Sequence, residues 1–156
     1  MRLFGKSIYD LDTKELLAIR RRRIGIVFQF HYLFKGFTAA ENIEVAALLA
    51  QKRIDRDLVE RFGIAHVIDR KVSDLSGGEQ QRVSIARVLT KKPKLIFADE
   101  PTGNLDSQTA KEVMDTVFDY VQKERAGLLL VTHDLELARK CDRVYRLENA
   151  SLIPLG

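Results

Sequence analysis

Apolar residues recur along this chain at two periods, and those periods divide it into elements. Residues 24–28 (IGIVF) form a β-branched and aromatic run that reads as a strand stopping at Gln29. Residues 95–98 (LIFA) and 128–131 (LLLV) are continuous apolar runs, the pattern of strands buried on both faces. Helical spacings lie between them. Ile43, Ala46, Ala47 and Ala50 share one stripe of a helical stretch over 38–70 that Gly63 punctuates. Ser76 opens a further helix in the S-x-x-E form of a capping box, completed by Glu79, and Pro93 closes it. Asp106 is placed to cap another, with rows Ala110, Met114, Phe118 and Val113, Val117, Val121 at i, i+4 and an end at Gly127. Residues 1–23 read as a hairpin piece and a short helix, 30–37 as an aromatic-rich loop, and 134–141 as a short helix. Residues 144–147 and 152–153 read as closing strands around a turn at 148–150.

Strands that alternate with helices predict an α/β fold with a mostly parallel sheet, and 38–90 breaks the alternation as a helical insert. The chain has 156 residues, 46% of them hydrophobic, which is enough for one domain with its own core. No run approaches the roughly 18 apolar residues that cross a membrane. The net charge of +4 is mild, and much of it sits in Arg20, Arg21, Arg22 and Arg23. Leu16, Leu17 and Ile19 precede that run and a strand follows, so it reads as a solvated helix end. No basic patch is interleaved with aromatics, and no nucleic-acid partner is expected. The single Cys141 cannot form an internal disulfide and is expected to be a small buried hydrophobe.

In open α/β sheets, ligands sit beyond the carboxyl ends of the strands. Three strands here end in groups suited to phosphoryl chemistry: Gln29, the pair Asp99-Glu100, and His133. Asp99 is of the type that holds Mg²⁺, and Glu100 of the type that orients or deprotonates an attacking water. Each also has a plain alternative, a helix-capping acid or a structural histidine. Gln29 taken alone says nothing. The stretch Leu75-Ser76-Gly77-Gly78-Glu79-Gln80-Gln81-Arg82 puts two glycines at a helix start. Backbone N–H groups, a hydroxyl and the positive end of the helix dipole would all face an anion there. The residues alone are equally compatible with a well-capped helix and no ligand.

LSGGEQQR resembles the signature motif of the ATP-binding-cassette (ABC) family, and the remaining motifs follow in that family's order over about residues 2–154. Gln29 matches the Q-loop, residues 95–99 the Walker B strand, Glu100 the catalytic glutamate, Asn104-Leu105-Asp106 the D-loop and His133 the switch histidine. Phe28-Gln29-Phe30-His31-Tyr32-Leu33 and Phe37-Thr38-Ala39-Ala40-Glu41-Asn42 are similar to the ATPases of lipoprotein-releasing (Lol-type) systems. Residues 98–106 (ADEPTGNLD) are shared with macrolide-export and cell-division relatives.

The resemblance implies a P-loop NTPase fold with a catalytic core from 1–29 and 91–156 and a helical subdomain over 30–90. It implies ATP and Mg²⁺, with Asp99 and Gln29 at the metal and Glu100, His133 and Gln29 at the chemistry. It implies a head-to-tail homodimer in which Ser76, Gly77, Gly78 and Gln80 contact nucleotide held by the second subunit. The loop after Gln29 would receive an integral membrane permease, some of Phe30, Leu33, Phe34 and Phe37 being buried and some exposed to it. The protein would then lie in the cytoplasm, peripheral on the inner face of the cell membrane.

The family's phosphate-gripping G-x-x-x-x-G-K-[ST] loop is not found. Gly5-Lys6-Ser7 is too close to Gln29 and reads as part of a hairpin. An amino-terminally truncated chain, inactive alone, is therefore expected. The other readings are a catalytically dead remnant that lends its signature helix to an intact partner, and a non-transport relative.

Overall fold

The computed structural model describes residues 2–103 and 105–155. Arg2–Leu3 (β1) and Lys6–Ser7 (β2) pair antiparallel. Phe4 and Gly5 between them have φ of 51° and 83°, the left-handed pair that a two-residue hairpin requires. The Gly5-Lys6-Ser7 fragment is thus a hairpin arm, with Lys6 Nζ bonded to Glu15 at 2.9 Å. Thr13–Arg22 (α1) follows, started by a capping box between Asp12 and Glu15, and then Ile24–Val27 (β3).

The helical insert comes next. Ala39–Leu49 (α2) is opened by a capping box between Thr38 and Glu41, Arg56–Arg61 (α3) by Asp55, and Gly77–Leu89 (α4) by the box between Ser76 and Glu79. Leu95–Asp99 (β4), Ser107–Glu124 (α5), Gly127–Val131 (β5) and Leu135–Ala138 (α6) complete the alternation. Tyr145–Glu148 (β6) and Ser151–Pro154 (β7) close the chain as an antiparallel hairpin.

β3, β4 and β5 form a parallel sheet with β4 in the middle, in register Val27↔Ala98↔Leu130. Residues aligned across parallel strands share a face, so burial separates the two faces. Val27, Ile96 and Ala98 are buried, and Leu128 and Leu130 pack against the same core with Val83, Ile85, Val88, Val113, Met114 and Val117. α4 and α5 therefore share that face, and one continuous core joins insert and sheet. The opposite face carries Ile26, Phe97 and Leu129. Ile26 and Phe97 line a groove with Leu3, Leu16, Ile19 and Leu49, while Leu129 is 52% exposed.

This corrects three expectations. β4 is buried on one face only, and β5 has no fully buried residue. An unbroken apolar run reports the capacity for two-sided burial, whereas coverage depends on what packs there. α5 ends not at Gly127 but at Arg125, which takes the left-handed cap at φ 49°, and Gly127 begins β5 against Leu95. Cys141 is half-buried rather than buried; desolvation, then the nearby Asp142, push its thiol up, away from reactivity. Arg20 to Arg23 are exposed at the end of α1, as a solvated helix end should be.

Candidate functional site

The parallel register brings the strand-end residues together. Asp99 aligns with Val131, so Gln29 and His133, each two residues past a paired strand position, flank the turn that begins at Glu100. Glu100 leaves the strand in the left-handed region, at φ 42°. That conformation is costly for a side chain with a Cβ and persists where neighbours over-determine it. Here Glu100 N–H donates to Val131 O at 2.9 Å, and Gly103 N–H returns to Glu100 O at 3.1 Å.

The Glu100 carboxylate then points at His133. Its Oε1 accepts from the His133 backbone N–H at 3.0 Å and meets ring Nδ1 at 2.9 Å. The hydrogen bond to Glu100, followed by the attraction of its charge, raises the imidazole above its ordinary value. Glu100 is largely enclosed, its side chain 23% exposed, while His133 projects into solvent at 83%. Gln29 reaches the same turn: a Cβ built on Gly103 would lie 3.5 Å from Gln29 Nε2 and from Glu100 O. Asp99 stands at the exposed end of β4.

The LSGGEQQR stretch forms the start of α4. Ser76 Oγ accepts from Glu79 N–H at 3.3 Å and donates to Glu79 Oε2 at 2.8 Å, and Ser76 N–H donates to the same oxygen at 2.7 Å. These bonds, first from the backbone and then from the hydroxyl, hold the Glu79 carboxyl below its usual range. Gly77 has open space where a Cβ would stand, and Gly78 lies against Leu105, whose Cδ2 would be 3.3 Å from an added Cβ. The helix start is thus bare on one side and packed on the other. Gln80 turns back, its amide donating to Leu75 O at 3.0 Å. Asp106 caps α5 by accepting from Thr109 N–H at 3.0 Å, and Thr109 holds its carboxyl low. Asn104 lies outside the described residues.

The aromatic loop after Gln29 is mostly exposed, none of the four residues expected to divide between core and surface being fully buried. Phe30, Phe34 and Phe37 are exposed and Leu33 packs against the core. The buried amide of Asn42 pins its far end, accepting from Phe34 N–H at 2.8 Å and donating to Phe34 O at 3.2 Å. The sequence did not single out Gln81, which is 1% exposed and bonded to both the aromatic loop and the turn after Glu100.

Residues 2–103 match the family model for the ABC transporter. The chain is similar to the lipoprotein-releasing system ATP-binding protein LolD of Pseudomonas fluorescens, at 42% identity over 98% of this chain and 70% of that protein. It is 47% identical to LolD of Gluconobacter oxydans over 88% of this chain and 62% of that protein. It is also 40% identical to the uncharacterized ABC transporter ATP-binding protein YbbA of Escherichia coli K12, over 96% of this chain and 68% of that protein. The chain thus spans roughly two thirds of the length of these relatives. Among solved structures, the dimeric post-hydrolysis state of the ATP-binding cassette MJ0796, bound to ADP and Pi, superposes with a TM-score of 0.85. It is 32% identical over 96% of this chain and 69% of that one. Strand-end chemistry, capped LSGGEQQR helix and these likenesses agree: the chain belongs to the ABC transporter family of ATP-binding, ATP-hydrolysing subunits.

Proposed function

We propose that the protein to which this chain belongs hydrolyses ATP to drive lipoprotein release or a related export step. The observation that carries the hydrolytic reading is the convergence of Gln29, Glu100 and His133 on the turn beyond Asp99, and the likeness to LolD supports the release step. Among the described residues no three His, Cys, Asp or Glu side chains converge to hold a metal by themselves. The solvent-facing carboxylate of Asp99 at the end of β4 fits Mg²⁺, which keeps several waters and is held by one or two carboxylates together with substrate phosphates. Asp99 would supply the carboxylate, with Gln29 beside it, and the ion would offset phosphate charge. Glu100 accepts a proton from the attacking water. The raised His133, protonated more readily than an ordinary imidazole, presents an N–H toward phosphate oxygen.

Ser76, Gly77 and Gly78 at the start of α4 face a nucleotide held by a second copy, with Gln80 bracing the helix start and Leu105 and Asp106 bordering the interface. Residues 1–29 and 91–156 form the catalytic core, and 30–90 the helical subdomain. The exposed Phe30, Phe34 and Phe37 receive an integral membrane permease, which keeps the protein on the inner face of the cell membrane. No G-x-x-x-x-G-K-[ST] occurs in the 156 residues, so this stretch by itself is expected to bind ATP weakly and not turn it over.

Mixing inactive variants tests the head-to-tail site. Asp99→Asn and Ser76→Arg in the full-length product should each abolish turnover, one at the metal and one at the partner's nucleotide. Mixed dimers rebuild one intact site, so activity should return on mixing. Two inactive variants that stay inactive when mixed, despite exchanging subunits, would refute a shared site.

A further inference from the structure

We infer that Gln81 is a positioning residue that locks the turn carrying Glu100 to the loop that follows Gln29, so that the two move as one unit. The inference rests on the proposed function, because it assigns a role in that reaction.

A glutamine in mid-helix with 1% exposure is unfavourable unless its amide is fully used. Gln81 uses it on two other segments. Its Oε1 meets Nδ1 of His31, and because a carbonyl oxygen can only accept, Nδ1 carries the proton. Its Nε2 donates to Pro101 O and, at 3.5 Å, lies toward Phe28 O. Pro101 directly follows Glu100 in the turn held by Val131 O and Gly103 N–H. One side chain therefore bridges the residue before Gln29, the residue two after it and the residue after Glu100.

The same stripe of α4 extends the lock. Ser84 Oγ donates to His31 O at 3.0 Å, and Arg87 donates to His31 O at 3.1 Å and Tyr32 O at 2.9 Å. Positions 81, 84 and 87 recur every three residues, so they share one helix face. Ser84 and Arg87 fix the loop to α4, but among the described residues Gln81 is the member of this stripe that also reaches the Glu100 turn. A displacement of the aromatic loop thus reaches the Glu100 turn through the Gln81 amide, beside the contact that Gln29 makes with the same turn.

The test uses the full-length product with its membrane partner in lipid. Gln81→Met keeps the unbranched shape and removes both ends of the bridge. His31→Ala removes only the loop end and sits on a half-exposed residue, so it does not endanger the core. The lock predicts that Gln81→Met lowers kcat about tenfold or more, while ATP affinity stays within about twofold, since the side chain touches the turn and not the nucleotide. His31→Ala should lower kcat in the same direction, and the double variant should be no worse than Gln81→Met. An unchanged kcat per bound nucleotide in Gln81→Met, or additive losses in the double variant, would overturn the inference and leave the proposed function standing. A wild-type protein with no ATP turnover would instead overturn the functional reading on which this rests.

Discussion

Gly25 sits in the middle of β3, opposite Ile96, where α4 comes down onto the sheet. A Cβ there would lie 2.6 Å from Val88 Cγ1 and 3.1 Å from Pro93 Cγ. Unstrained carbon contacts need about 3.5–4.0 Å, so Gly25→Ala must push something by about 1 Å. Neither neighbour yields easily: a helical valine has one strongly preferred χ1 and a proline ring is fixed. α4 itself must lift. Overpacking of this kind costs about 1–3 kcal/mol, against about 0.4–1 kcal/mol gained by restricting the unfolded chain. Overpacking wins, and a net loss of about 1–2 kcal/mol is expected. Urea unfolding of the full-length product, followed by circular dichroism, measures it. Val88→Ala in the same background should recover part of the loss, because it removes the clashing methyl. Gly25→Ala as stable as wild type, or a double variant whose losses simply add, would refute the close approach of α4 to β3.

The other predictions concern single contacts. Ser76→Ala removes the capping box of α4 and should destabilise by about 1 kcal/mol in the same unfolding assay, apart from any effect on nucleotide. Tyr120→Phe leaves Pro93 O without its 3.2 Å bond inside the core and should cost about 1–2 kcal/mol. Glu100→Gln should lower the His133 pKa, read from its ring resonances against pH. The carboxylate raises that value, so the charged pair is present at lower pH and is lost as pH rises through the raised pKa; the variant should show the imidazole titrating at lower pH.

What the sequence revealed was mostly local or strictly periodic. Every capping box needed only two side chains three residues apart, so Ser76 and Glu79 announced α4 without help from the rest of the chain. The convergence of Gln29, Glu100 and His133 was legible because parallel strands in register put their ends side by side. Gln81 was not legible: in a run of polar residues nothing distinguishes it from Gln80, whose side-chain amide turns back to Leu75 O. The difference arises from which side of α4 meets the aromatic loop. The exposed face of β5 was missed for a related reason. Leu129 and Val131 are as apolar as any core residue, and their exposure depends on elements elsewhere rather than on their own segment. Arg125 in a left-handed cap broke the rule that glycine ends helices, since Gly127 was used instead to approach Leu95 closely.

In the proposed reaction Glu100 activates the water that attacks ATP. Steady-state ATP hydrolysis by the full-length product, compared between wild type and Glu100→Gln, tests it most directly. Loss of the general base should lower kcat about 10²–10⁴-fold, with ATP affinity retained. Wild-type turnover that persists in Glu100→Gln would contradict it.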